Sequence, residues 1–148
     1  MSINRRFHLF GLGAGLFGLA AASRAGVSDD GSFKVVYHIS EGVQQASRAI
    51  GNIRNHLAAE PKTKIVVVTH GPGVDFLLDG AENAAGAPFS GAIGDLSGRG
   101  VEFRVCNNTL VSRKIAADRV VMEAKIVPSG VAEVAKLQAR EGFVYLKP

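Results

Sequence analysis

The stretch Lys64-Ile65-Val66-Val67-Val68-Thr69 decides the fold class, because it is a short apolar run rich in β-branched residues. Such side chains favour extended backbone, and a strand without polar alternation is typical of a parallel sheet covered on both faces. Directly after it, His70-Gly71-Pro72-Gly73 carries the residue types of a tight turn. We therefore predict a buried parallel strand at residues 64–69, closed by a sharp turn.

Similar short runs occur on both sides of this strand, and helical patterns separate them. Candidate strands cover residues 33–39, 101–105, 125–127 and 143–146. Apolar residues at steps of three and four, from Val43 to Leu57, predict a helix between the first two strands. Strands that alternate with helices predict an α/β fold: a three-layer sandwich with a mainly parallel five-stranded sheet, flavodoxin- or Rossmann-like. The strand order stays open at this point.

Two further helices are predicted from weaker patterns. Apolar positions between Val74 and Ala81 predict a short second helix, with Asp75 on its solvated face. Ser129 is a suitable N-cap for a last helix, and Gly142 is a suitable residue to end it. The face of that helix predicted to pack on the sheet carries Val131, Val134, Ala135 and Gln138.

Composition points to one globular domain that does not bind nucleic acid. The chain has 148 residues, of which 47% are hydrophobic and 20% charged. Its net charge of +4 depends on Arg5, Arg6 and Arg24, because the first 25 residues hold no acidic residue. The rest of the chain carries 14 basic and 13 acidic residues. No basic stripe with interleaved aromatic residues remains, so we expect no nucleic-acid partner.

The first 25 residues have the three parts of an export signal. Asn4-Arg5-Arg6 is a positive head, residues 9–22 form an uncharged apolar run, and small residues surround Ala22 and Ala25. The run is shorter than the ~20 residues that span a bilayer, so we expect no stable membrane insertion. The paired arginines and glycine-rich run resemble a twin-arginine signal, with the general secretory route as the alternative. We predict a signal peptide at residues 1–25, a linker at 26–32, a domain at 33–148 and a periplasmic location.

Residues capable of chemistry follow several predicted strands. In a parallel sheet the carboxyl ends of all strands lie at one edge, where ligands bind. His38, His70, Cys106 and Pro128-Ser129 are therefore expected at the same edge. Cys106 is the only cysteine, and it precedes Asn107-Asn108-Thr109, whose side chains suit a helix N-terminus. The amides of such a terminus lower a thiol pKa, although a free cysteine also often serves only to fill the core.

The two histidines leave several interpretations open. His70 or His38 is a possible proton partner for Cys106, although a histidine at a strand end is more often a hydrogen-bonded structural residue. With Cys106 they contain the ligand types of a metal site, but no CxxC or HxxxH spacing supports one. Gly71-Pro72-Gly73 lacks the lysine of a phosphate-binding loop. We therefore predict neither a metal nor a cofactor.

The chain also resembles the DsrE/DsrF-like family. The resemblance covers essentially all of residues 33–148. It is carried by residues 66–74 (VVVTHGPGV), 105–110 (VCNNTL), 127–131 (VPSGV), 137–138 (LQ) and 142–145 (GFVY). It implies a compact α/β sandwich that assembles into oligomers, commonly trimers or hexamers. It also implies that a cysteine after a central strand carries sulfur as a persulfide. Cys106 matches that position, and Arg113-Lys114-Ile115 resembles the basic turn that often follows it.

Two functional hypotheses result. The first is a periplasmic sulfur-handling protein that accepts and passes sulfane sulfur through a persulfide on Cys106, with a sulfur donor or acceptor protein as partner. The second is a non-catalytic oligomeric module that binds a small ligand or metal at the same edge of the sheet. A reactive Cys106 favours the first hypothesis, and a metal retained through His38 or His70 favours the second.

Overall fold

The computed structural model describes residues 26–148, and the predicted signal peptide at residues 1–25 lies outside them. The strands are β1 (Lys34–Ile39), β2 (Lys64–Thr69), β3 (Glu102–Cys106), β4 (Ala124–Val127) and β5 (Val144–Leu146). The α-helices are α1 (Val43–Ala59), α2 (Ser90–Gly98), α3 (Asn107–Ser112) and α4 (Gly130–Glu141). Two short 3-10 helices cover Gly71–Leu77 and Ala117–Arg119.

All five strands pair in parallel, in the order β4-β3-β2-β1-β5. From β1 the chain steps outward through β2 and β3 to β4, and α4 then returns it to the other side of β1. The predicted α/β fold with a parallel five-stranded sheet is confirmed. In a sheet of this kind a ligand binds beyond the carboxyl ends of the strands, near the strand that has later strands on both of its sides, here β1.

Helices cover the sheet unequally on its two faces. The larger core joins the side chains of one face, such as Val35 and Val67, to α1, α2 and the 3-10 helix at Gly71–Leu77. The smaller core joins Val36, Val66 and Val68 to α4 and Phe143. Because β2 has apolar side chains in both cores, its sequence is apolar throughout, as expected for a central parallel strand.

The predicted second helix is wrong in type and extent. Residues 71–77 form a 3-10 helix, and Leu78 then pairs in an isolated antiparallel bridge with Val120. The reason is the close approach of Gly73 to β1: a Cβ on this residue would lie 2.1 Å from the Ile39 carbonyl oxygen. The segment packs where only a glycine fits. This contact with β1, and not an amphipathic pattern, therefore determines the conformation of the segment.

The predicted packing face of α4 is also wrong, by one position along the helix. Val131 is exposed, and the buried residues of α4 are Gly130, Glu133, Val134 and Leu137. Glu133 turns toward the sheet because its carboxylate pairs with the Arg104 guanidinium of β3. The predicted caps are confirmed: the Ser129 side chain accepts a hydrogen bond from the Ala132 N–H, and Gly142 ends the helix in a left-handed conformation.

Residues 26–32, predicted as a linker, lie against the domain. Gly26 donates a hydrogen bond to the Gly142 carbonyl and accepts one from the Lys34 N–H. Val27 forms an antiparallel bridge with Phe33, which closes a short turn between them. Among residues 26–148, no helix has the length and apolar character needed to cross a membrane.

Candidate functional site

The carboxyl edge of the sheet collects the residues that the sequence singles out. Cys106 is the last residue of β3 and the N-cap of α3, and His70 directly follows β2. His38 lies near the end of β1, and Ser129 is the N-cap of α4. Strand side chains alternate between faces, so His38 and His70 share the α4 side of the sheet with Val36 and Val68. The expected common edge is therefore present.

Gly130, the first residue of α4, lies between His70 and Cys106. A Cβ added to Gly130 would lie 3.1 Å from the His70 Cβ and 3.2 Å from the Cys106 Cβ. It would also lie 2.9 Å from the Thr69 carbonyl oxygen. The absence of a side chain at this position lets the N-terminus of α4 reach the end of β2 and the cysteine together.

Cys106 is only 3% exposed, so its thiol lies at the edge of the sheet but beneath the surface. Burial is the largest single influence on the thiol and would raise its pKa. The Gly130 N–H, the Thr109 hydroxyl and the N–H groups of Thr109 and Asn108 act in the opposite direction. Together they outweigh burial, and the pKa of Cys106 is lowered. The donors come from the first turns of two helices, where N–H groups lack partners within the helix.

Thr109 connects the cysteine to the turn that follows β2. Its hydroxyl oxygen accepts a hydrogen bond of 2.9 Å from the Gly71 N–H, which leaves its own hydrogen free for the Cys106 sulfur. Arg113 holds the same turn, because its guanidinium donates to the Gly71 carbonyl at 3.2 Å and to the Asp75 carboxylate at 2.7 Å. Asp75 therefore belongs to an ion pair that is partly exposed to solvent, and it lies on a 3-10 helix and not on the predicted α-helix.

A row of rings extends from this site across β2 and β1 to β5. The rings of His70 and His38 stack with centroids 4.8 Å apart. The Tyr145 hydroxyl and the Nδ1 atom of His38 lie 2.8 Å apart, within hydrogen-bonding distance. The Nε2 atoms of His38 and His70 are both buried and have no hydrogen-bond partner within residues 26–148. Burial, followed by the nearby charges of His70 and Lys147, lowers the pKa of His38.

Charged side chains tie α4 to β3 directly below the cysteine. The Arg104 guanidinium pairs with Glu133 of α4 and, at 2.9 Å, with the Glu102 carboxylate. The Arg104 and Glu133 side chains are only 15% and 11% exposed, so water screens the pair weakly. Glu133 lies one helical turn beyond Gly130, so the ion pair holds the first turn of α4 over the sulfur.

Sequence reasoning did not identify three residues as neighbours of the site: Gly130 and Thr109, which lie beside Cys106, and Tyr145, which contacts His38. Thr109 and Gly130 follow candidate strand ends and are recognisable only as capping and turn residues. Tyr145 lies in a strand at the opposite end of the chain, 107 residues from the histidine it contacts. Within the described part of the chain, no group of three or more histidine, cysteine or acidic side chains is arranged to hold a metal ion.

Gly130→Ala tests whether the close approach of α4 is needed for the thiol environment. The new methyl group would meet the Thr69 carbonyl oxygen, and α4 must then move away from β2. We expect the free energy of unfolding to fall by about 1–3 kcal/mol. We also expect the pKa of Cys106 to rise, because the N–H at position 130 moves away from the sulfur. Chemical denaturation and the pH dependence of thiol alkylation measure the two effects.

Gly51→Ala is the matched control for this substitution. Gly51 lies within α1, where an added Cβ meets nothing within 4 Å. Alanine favours helix over glycine by up to ~1 kcal/mol, so this variant should be slightly more stable, with the Cys106 pKa unchanged. A Gly130→Ala protein with the wild-type thiol pKa would show that the Gly130 amide does not stabilise the thiolate.

Comparison with known proteins gives the relationships of the chain. The family model described as DsrE/DsrF-like matches residues 33–148. A structure described as a protein of unknown function, MTH1491 from Methanobacterium thermoautotrophicum, is similar with a TM-score of 0.69 and 31% identity. The match covers 79% of this chain and 100% of that one. The ychN protein from E. coli has the same fold, with a TM-score of 0.62, 11% identity and coverage of 76% and 98%. No curated protein matches the chain.

Proposed function

The chain belongs to the DsrE/DsrF-like family, which is generally linked to sulfur relay, and we propose that it carries sulfane sulfur as a persulfide on Cys106. The observation that carries the proposal is the place of Cys106 at the N-terminus of α3 and against Gly130, the first residue of α4, where N–H and hydroxyl groups lower the pKa of its thiol. A cysteine that only filled the core would have apolar neighbours and a raised pKa. Here the surroundings favour the thiolate, which is the nucleophilic form.

The proposed transfer is an exchange between sulfur atoms. The Cys106 thiolate attacks a sulfane sulfur of the donor, a new S–S bond forms, and the donor's own S–S bond breaks. The electron pair of the broken bond leaves with the donor. An acceptor thiolate then attacks the outer sulfur of the persulfide, and Cys106 departs as a thiolate. Neither step needs an external oxidant or reductant, and the amides that stabilise the thiolate also stabilise it as a leaving group.

Of the two histidines, His70 is better placed to take the proton of the Cys106 thiol. His70 and Cys106 flank Gly130 on either side, whereas His38 stacks on the far side of His70. We assign His70 as the proton partner. His38 contacts His70 through the stacked rings.

We further propose that the protein works in the periplasm as a homo-oligomer, with a sulfur donor or acceptor protein as its partner. The export-type features of residues 1–25 support the location. Apolar side chains exposed on α4 and along both edge strands of the sheet support assembly, since a single chain leaves them in water. They include Ile126 of β4, Val131 of α4, and Val144 and Leu146 of β5.

Sulfur loading can be tested by intact-mass spectrometry of the purified protein before and after incubation with polysulfide. We expect the folded protein to gain the mass of whole sulfur atoms, and a reducing thiol to remove them. Because Cys106 is the only cysteine, any persulfide must form on it. A protein that gains no mass would overturn the proposal and favour the ligand-binding module instead.

The pH dependence of alkylation tests the thiolate environment separately. A neutral haloacetamide reacts with the thiolate, so its rate rises with pH through the thiol pKa. We expect the midpoint for the folded protein to lie below that of the protein in denaturant, where the thiol titrates near ~8.5. The midpoint is the readout, because burial slows the absolute rate in the folded state. A folded midpoint at or above the denatured one would contradict the proposed role of the amides.

The same shift predicts how stability depends on pH. A thiol whose pKa is lower in the folded state contributes stability that is fully present above the pKa of the unfolded chain. That contribution is lost as the pH falls through the folded pKa. Replacing Cys106 should therefore lower the free energy of unfolding. The loss should grow as the pH rises from the pKa of the folded state to that of the unfolded chain.

A further inference from the structure

The stacked pair of His38 and His70 lacks hydrogen-bond partners at two buried nitrogens. Their Nε2 atoms have none within residues 26–148, although the rings lie at the ligand-binding edge of the sheet. A buried polar nitrogen without a partner costs free energy, so such an atom calls for an explanation. Because the two rings stack and His70 lies across Gly130 from Cys106, these nitrogens indicate a subsite for a polar group of the substrate.

The contact with Tyr145 indicates which kind of group fits. The Tyr145 hydroxyl and Nδ1 of His38 lie 2.8 Å apart, and we assign the O–H as the donor, because a phenol is a good donor and a neutral imidazole nitrogen is a good acceptor. The ring proton of His38 is then on Nε2, which is a donor in need of an acceptor. Burial, the His70 ring and Lys147 all lower the pKa of His38, which favours this neutral form. The subsite therefore suits an acceptor group, such as the oxygens of an anion.

The charged groups around the pair do not oppose an anion. Glu41 is the acidic side chain that acts on His38, and its carboxylate is paired with the Lys147 ammonium group. On the other side of the pair lies Gly130, at the positive N-terminal end of α4. An anion beside the histidines thus meets the Nε2–H of His38 and a helix N-terminus.

We propose that His38 and His70 bind the oxyanion part of a sulfane donor that ends in a sulfonate group, the class to which thiosulfate belongs. This inference rests on the proposed persulfide function. The Cys106 thiolate attacks the sulfane sulfur, and the bond between that sulfur and the sulfonate sulfur breaks. The electron pair leaves on sulfite, whose oxygens the histidine N–H groups stabilise. One persulfide and one sulfite form, and no other reactant is needed.

The test compares two sulfur donors on the purified wild-type protein and on single variants. Intact-mass spectrometry follows persulfide formation on Cys106 with thiosulfate and with polysulfide, and a separate assay follows sulfite release. We expect wild type to load from both donors and to release one sulfite per persulfide formed from thiosulfate. In His38→Ala and His70→Ala, the ratio of the thiosulfate rate to the polysulfide rate should fall about tenfold or more, as expected when a hydrogen bond to a charged group is lost.

His56→Ala is the matched control. His56 lies on α1 and contacts the Tyr37 hydroxyl, away from the cysteine, so its loss should leave the ratio of rates unchanged. If wild type loads from polysulfide but not from thiosulfate, the inference is wrong and the persulfide function stands. A histidine variant that slows both donors equally also overturns it. Failure of wild type to load from either donor overturns the persulfide function and this inference together.

Discussion

Cys106→Ser is expected to abolish sulfur uptake from polysulfide while leaving the fold intact. A serine hydroxyl forms no persulfide and stays protonated at neutral pH, so intact mass should show no gain. The free energy of unfolding should change by less than about 1 kcal/mol, because Gly130 and Thr109 can donate to an oxygen as well as to sulfur. Mass spectrometry and denaturant unfolding measure the two effects.

Cys106→Ala is the companion variant that separates chemistry from structure. It also removes uptake, but it leaves the donors around position 106 without an acceptor. We expect it to cost about 1–3 kcal/mol more stability than serine does. If Cys106 only filled the core, the order would be reversed, because a buried hydroxyl would be less favourable than a methyl group. Persistent sulfur uptake by either variant would show that the sulfur is not carried on this residue.

Gly73→Ala is expected to give the largest loss of stability among substitutions of a single methyl group. Its Cβ would lie 2.1 Å from the Ile39 carbonyl oxygen and 2.7 Å from the Ser40 amide nitrogen, both of which are backbone atoms. Backbone at the end of a central strand has little room to move. The 3-10 helix at Gly71–Leu77 must therefore separate from β1, and Phe76 and Leu77 partly leave the core. We expect a loss of at least about 3 kcal/mol.

Gly94→Ala provides the matched control for Gly73→Ala. Gly94 lies within α2, and a Cβ there meets nothing within 4 Å. Alanine should raise the free energy of unfolding by up to ~1 kcal/mol at this position. Thermal and denaturant unfolding of both variants test the pair. Equal stabilities of Gly73→Ala and wild type would contradict the close contact between the 3-10 helix and β1.

The positions of the strands were predictable because each is a local pattern. The observed β2 has the predicted limits, residues 64–69. The strands β1, β4 and β5 differ from their predictions by one residue at the start, and β3 is shifted by one residue at both ends. β-branched runs bounded by glycine, proline or capping residues carry this information within a few neighbouring positions. The edge shared by His38, His70 and Cys106 was predictable as well, since parallel strands bring their carboxyl ends together.

Two local predictions failed because distant contacts outweighed the local pattern. The apolar positions of residues 74–81 suit an α-helix, but Gly73 packs against Ile39, 34 positions earlier in the chain. In α4 the apolar pattern indicated a face beginning at Val131, whereas an ion pair with Arg104 turns Glu133 inward. A charged residue that is buried with its partner looks like a surface residue in the sequence.

The sequence by itself determined the fold class, the strands, the helix caps and the edge where chemistry can occur. The tertiary structure alone decided the strand order, and with it which side chains are neighbours. The order β4-β3-β2-β1-β5 places β3 beside β2 and β5 beside β1, so that Cys106, His70, His38 and Tyr145 form one row. It also brings Gly130 and Thr109 to the Cys106 sulfur from two different helices. Periodicity describes residues a few positions apart, whereas these contacts join residues brought together by packing, which no local pattern encodes.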